Sequence, residues 1–179
     1  LDAAALLAER PEILFLIVGD GVVRPALEEK VAALGLENVR FLPFQPYEDL
    51  PWLRAASDVQ VNLYHRDSAS YSMPSKVYEI MASGRPLLVS ADPGSDLWNL
   101  VEATGCGLCV EPGEPEALAG AILKLYRNPD LYQGMATSGR RAAVERYSRE
   151  AVAARYDHLL RSVANRSRPR GAGNQVEQL

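Results

Sequence analysis

The sequence predicts an α/β domain built on an open, mostly parallel sheet. Three observations carry that expectation. Short apolar runs, too short for helices, alternate with amphipathic segments of about ten residues. Glycine or proline punctuates the joints between them. Behind the last strand the chain is helical from Glu114 to Ala164, with no returning strand.

In order along the chain, Leu1 to Arg10 has an amphipathic helical pattern. No Ser, Thr, Asp or Asn precedes it to cap its amides, so it reads as an element cut open and the chain as a fragment. Glu12 to Val18 is a continuous apolar strand of the kind buried on both faces, and it ends in Gly19-Asp20-Gly21. Pro25 suits the first turn of the next helix, whose apolar residues recur at Leu27, Val31 and Leu34 before Gly35 stops it. Asn38 to Leu42 is a short strand and Glu48 to Ala56 a short helix. Asp58 to Tyr64 is a strand with Val59, Val61 and Leu63 alternating. A loop from His65 to Ser72 leads to a helix from Pro74 to Ser83, ended by Gly84. The strand Pro86 to Ser90, the helix Ser95 to Ala103 and the strand Gly107 to Val110 follow. Three helices close the domain, at Glu114 to Tyr126, Pro129 to Arg146 and Ser148 to Ala164. Such alternation reads as right-handed crossovers with helices on both faces of the sheet, a Rossmann-like architecture. Residues 1–164 form the expected domain, and 165–179, rich in Arg, Ser, Pro, Gly and Gln, a disordered tail.

Composition narrows the function. A chain of 179 residues with 47% apolar residues has enough to bury a full core. The longest strictly apolar run, Ile13 to Val18, falls far short of the ~20 residues a membrane helix needs, and no leader-like segment opens the chain. A net charge of -4 argues against nucleic acid as a partner. Two cysteines make no disulfide scaffold, so a reducing, cytoplasmic setting is expected. Arg161, Arg166, Arg168 and Arg170 offer a peripheral contact with anionic lipid, although a solvated tail is the plainer reading.

Ligands of open α/β sheets bind beyond the carboxyl ends of the strands. At the first such end, Gly19 and Gly21 begin like a dinucleotide fingerprint, but Arg24 stands where the third glycine belongs. No acidic residue closes the strand at Leu42, so a nicotinamide cofactor is not expected. The pair reads as a tight turn, or as a close backbone approach to a phosphate. The richer loop runs from Asp67 through Tyr71, Ser72, Met73, Pro74 and Ser75 to Lys76. Its small and hydroxyl residues, a helix start and one cation make an anion site. Lys76, Glu79 and Ser83 share one helix face while Val77, Ile80 and Met81 fill the other. Elsewhere on a surface the same spacing would be an ordinary Lys-Glu pair.

The run Pro74-Ser75-Lys76-Val77-Tyr78-Glu79-Ile80-Met81-Ala82-Ser83-Gly84-Arg85-Pro86, followed by Leu87-Leu88-Val89, resembles the signature of retaining glycosyltransferases of family 4. Phe15 to Gly21, Asn38 to Phe44, Leu50 to Val61, Gly105 to Leu108, Pro112 to Pro115 and Arg146-Tyr147-Ser148 fall in the matching order. The resemblance extends over residues 1–160 and implies the C-terminal domain of a GT-B enzyme, one of two Rossmann-like halves. It implies a nucleoside-diphosphate sugar as donor, with UDP, GDP and ADP all open, and no separate cofactor. Glu79 matches the family's ribose-binding glutamate. Tyr71 stands eight positions earlier, where the family has a sugar-contacting glutamate. Phe44 lies in the Leu42 to Gln45 loop, where the family cradles the base. The family's phosphate-binding Arg and Lys follow a first strand that would precede Leu1. The acceptor, a glycan, lipid or small molecule, would be bound by an N-terminal domain. No catalytic base is assigned, and the fragment alone is expected to be inactive. A GT-B nucleotide-sugar epimerase and a non-catalytic module that lost the donor site are the alternatives. Cys106 and Cys109 lack the second pair a zinc site would need and read as small packing residues, so no metal is expected. His65 is a loop residue with some claim on the donor site, and His158 a structural or exposed one.

Overall fold

A computed structural model of the protein describes residues 1–66 and 73–166. The elements follow the order α1 (Asp2–Leu6), β1 (Phe15–Val18), α2 (Arg24–Ala33), β2 (Val39–Leu42), a 3₁₀ turn (Tyr47–Asp49), α3 (Leu50–Ala56) and β3 (Gln60–Leu63). Next come α4 (Lys76–Ala82), β4 (Leu87–Ser90), α5 (Asp96–Thr104), β5 (Gly107–Val110), α6 (Pro115–Arg127), α7 (Pro129–Arg146) and α8 (Arg149–Arg166). Strands and helices alternate as expected, every pairing is parallel, and the class is Rossmann-like α/β.

Boundaries move where backbone chemistry intervenes. The first strand starts at Phe15 instead of Glu12, because Ile13 N donates to Arg10 O at 3.0 Å and closes a turn. α1 ends at Leu6, and the chain then loosens into three-residue turns up to Pro11. The helix read over Glu48 to Ala56 is a 3₁₀ turn followed by α3, with Pro51 in the first turn of α3, where its missing N–H costs nothing. α8 runs two residues past 164, and residues 167–179, with Arg168 and Arg170, lie outside the described residues.

The expected single sheet is found in two pieces. β1 pairs with β2 from Phe15↔Val39 to Val18↔Leu42, while β3, β4 and β5 align Gln60, Leu87 and Gly107. Among the described residues, β1 and β3 each keep one edge without a strand. Leu16 on β1 and Val61 and Leu63 on β3 are exposed, with Leu14 beside them. Such apolar edges are what a sheet normally covers.

The larger core surrounds β4, whose four residues are all buried. Val77, Ile80 and Met81 of α4, Leu97 and Val101 of α5, and Ala142 and Ala143 of α7 pack with it. The larger of these side chains contribute roughly 1.5–3 kcal/mol each. Tight spacing at β5 excludes any side chain at Gly107, because a Cβ there would lie 1.7 Å from Leu87 O. α5 is set by its ends: Ser95 Oγ accepts from Trp98 N at 3.4 Å, and Gly105 closes the helix at φ 62°. The β1–β2 unit joins the rest through α6, where Ala119 packs with Ala3, Leu7 and Ile13. Buried Asn38 donates to Ala4 O at 2.9 Å and ties α1 to the start of β2.

Candidate functional site

At the carboxyl end of β1 the backbone turns at Gly19, whose φ of 127° favours glycine. Gly19 N donates to Leu42 O at 3.1 Å, so that amide is occupied. Arg24 fills the turn from the far side. Its guanidinium donates to Gly19 O at 2.7 Å and Leu42 O at 3.0 Å and pairs with Asp20 and Glu28. It also lies 5.7 Å from the Phe41 ring centroid. The residue that breaks the dinucleotide fingerprint therefore staples the ends of β1 and β2 together. Gly21 has open space around it, and its carbonyl accepts from Arg24 N.

Beyond β2 the chain presents aromatic rings to solvent: Phe44 at 76%, Tyr47 at 80% and Trp52 at 76% exposure. Beyond β3 it enters the second loop. Tyr71 and Ser72 lie outside the described residues; Met73 is half-buried against the main core, and Pro74 and Ser75 lead into α4. α4 has seven residues, so little of the site's charge comes from its dipole. Its amphipathicity is as expected: Val77, Ile80 and Met81 are buried, Lys76 is exposed, and Glu79 is on the outer side. His65 and His158 are exposed.

Glu79 does not pair with Lys76 among the described residues. Its Oε2 meets the Arg54 guanidinium, which reaches across from α3. Arg85, just past α4, donates to Ala55 O at the end of α3 and to the Tyr132 hydroxyl at 3.0 Å. Sequence reasoning missed Arg54. It stands 25 positions before Glu79, and only the tertiary fold brings the two side chains together. No local spacing encodes that contact.

Cys106 is buried and Cys109 half-buried, and both are free thiols. No group of three or more His, Cys, Asp and Glu suited to a metal occurs among the described residues. Burial, with Glu102 nearby, pushes the Cys109 thiol up to about 12, and burial raises Cys106 as well. Both should resist a maleimide at pH 8 in the folded chain and react once it is unfolded. Unfolding restores an ordinary thiol pKa of ~8.5, so above that pH the unfolded chain binds fewer protons than the folded one. Stability should then fall as pH rises from ~9 toward 12, and Cys109→Ser should flatten the slope in a series of urea midpoints.

A family model, Glycosyl transferases group 1, matches residues 1–142. WcaI of Escherichia coli (strain K12), a glycosyl transferase named for colanic acid biosynthesis, is 35% identical over 123 residues, 68% of this chain and 30% of the relative. Alpha-D-kanosaminyltransferase of Streptomyces kanamyceticus is 27% identical over 165 residues, 91% of this chain and 41% of its own. Among solved structures, Anabaena Alr3699/HepE in complex with UDP superposes with a TM-score of 0.75 at 25% identity, covering 90% of this chain and 44% of that one. The chain thus spans less than half the length of these relatives. No described helix is long and apolar enough to cross a membrane. The family match runs through the Gly19 turn, Arg54 and the Lys76–Glu79 helix, and the chain belongs to the glycosyl transferases group 1 family.

Proposed function

We propose that this chain is the donor-binding C-terminal domain of a retaining glycosyltransferase of the two-domain GT-B type. The carrying observation is the position of Glu79. Its carboxylate sits on the outer side of α4, in the first helix after β3, where an open α/β sheet places its ligand. In this reading Glu79 accepts from the ribose hydroxyls. Lys76 faces the diphosphate, Met73 to Ser75 border it together with Tyr71 and Ser72, and the Phe44 loop lies against the base. The occupied Gly19 amide favours a structural role for the first turn, with Gly21 left as the nearer approach. HepE, solved with UDP, makes uridine the first base to test.

The domain reading includes one further parallel strand between β1 and β3. Their open edges and the exposed Leu16, Val61 and Leu63 support it. The sugar's C1–O bond to phosphate breaks while a bond to the acceptor oxygen forms on the same face. The leaving phosphate takes the acceptor's proton, which is why no protein base is named.

Calorimetry on the intact protein with UDP, GDP and ADP tests this reading. One of the three is expected to bind in the micromolar range, near −8 kcal/mol. If none binds, the module that lost its donor site becomes the better account, and Tyr71 in place of glutamate is the observation that favours it. Appearance of an isomerised nucleotide sugar without an acceptor would instead identify an epimerase.

A further inference from the structure

We propose that Arg54 is a positioning residue for the donor's ribose, holding the Glu79 carboxylate in the orientation that receives the two hydroxyls. The inference rests on the donor-site reading of Glu79. A glutamate on the outer side of a helix samples several rotamers, and a ligand that needs one of them must pay for its ordering. Arg54 removes that freedom beforehand. Its side chain is 18% exposed while that of Glu79 is 44% exposed, so the anchor is the fixed partner and the carboxylate stays within reach of solvent and ligand. The ion pair runs through Oε2, which leaves the lone pairs of Oε1 for a hydroxyl donor. The guanidinium also offsets the repulsion between a carboxylate and an incoming diphosphate.

A purely structural role for the pair fits less well. α3 has no buried residue, so polar links hold it beside α4. Arg85 already supplies one, from its own guanidinium to Ala55 O, and that guanidinium is itself braced by Tyr132. Removing Arg54 leaves this link intact and frees Glu79. The same pairing joins the base-side segment, from Phe44 through α3, to the ribose-side helix. Two parts of the site from separate crossovers are thereby set relative to each other.

The test is calorimetry on the intact protein with whichever of UDP, GDP and ADP binds most tightly, and with its 2′-deoxy counterpart. Arg54→Ala is expected to weaken the ribonucleotide about tenfold and the deoxynucleotide less than about twofold, since only the former uses both hydroxyl contacts. Arg54→Lys should recover part of the loss. Equal weakening of both nucleotides would reduce Arg54 to a distant charge, and no weakening would make the pair incidental; either overturns the proposal. Should Arg54→Ala fail to fold, Arg54→Gln and Arg54→Lys give the same ratio. Glu79→Gln runs alongside. If it keeps the ribose preference of wild type, the reading of Glu79 itself fails. If it loses that preference while Arg54→Ala keeps it, only the role of Arg54 is wrong.

Discussion

The 179-residue chain, produced by itself, is expected to transfer no sugar and to bind nucleotide weakly. Transfer in the proposed two-domain enzyme takes place in a cleft that excludes water and aligns donor with acceptor, and that alignment supplies much of the rate. In that reading the described residues form one wall. The segment beyond β2 is open, with Phe44, Tyr47 and Trp52 in solvent. Among the described residues the open edges of the two sheet pieces include those of β1 and β3, where in the proposed domain a connecting strand would fix the phosphate-binding loops. If the basic pair that follows such a strand is absent, the diphosphate loses two charge-assisted bonds worth roughly 1.5–3 kcal/mol each. An affinity in the micromolar range would then fall to about 0.1 mM or weaker. A transfer assay with labelled donor and calorimetry on the isolated chain decide the matter. Turnover by the chain alone, or a nanomolar constant, would overturn both the two-domain reading and the proposed further strand.

Much of the domain is legible in the sequence because its periods are unmixed. Leu87 to Ser90 is apolar without alternation and is buried at every position, as a central parallel strand should be. Val77, Ile80 and Met81 recur at helical spacing and are all buried, which turns Glu79 outward; spacing alone would leave it an ordinary surface carboxylate, and its candidacy comes from the place of its helix after β3 and from the family resemblance of the surrounding run. The substitution of Arg24 for a fingerprint glycine is also informative, since that guanidinium occupies the turn. What the sequence does not disclose depends on contacts between elements distant along the chain. The separation of β1 from β3 is a matter of which edges meet, and a period of two or 3.6 says nothing about edges. The start of β1 shifts because the bond between Ile13 N and Arg10 O competes locally with the ladder. Arg54 lies one crossover away from its partner. Its spacing within α3 marks a half-buried basic residue without saying which carboxylate it faces.

Glu79→Gln should weaken nucleotide binding by the intact protein roughly 30- to 150-fold, corresponding to about 2–3 kcal/mol. An ionised carboxylate accepting from two ribose hydroxyls forms the stronger, charge-assisted kind of hydrogen bond, and an amide of the same shape offers one neutral acceptor in its place. A solvent-facing ion pair alone would be worth ~0.2–1 kcal/mol, too little to be confused with that loss. The substitution keeps side-chain length and helix propensity, and the residue is half in solvent, so the melting temperature should stay within about 4 °C. Lys76→Ala supplies the contrasting pattern. It removes a cation without touching the ribose, so it should weaken the nucleoside diphosphate far more than the bare nucleoside, whereas Glu79→Gln should weaken both. Raising the salt concentration should shrink the Lys76 effect and leave most of the Glu79 effect, because screening acts on exposed charge and much less on a hydrogen bond in contact. Wild-type affinity in Glu79→Gln would return the outer face of α4 to the status of a surface that pairs with Arg54, and leave the domain without the proposed donor contact.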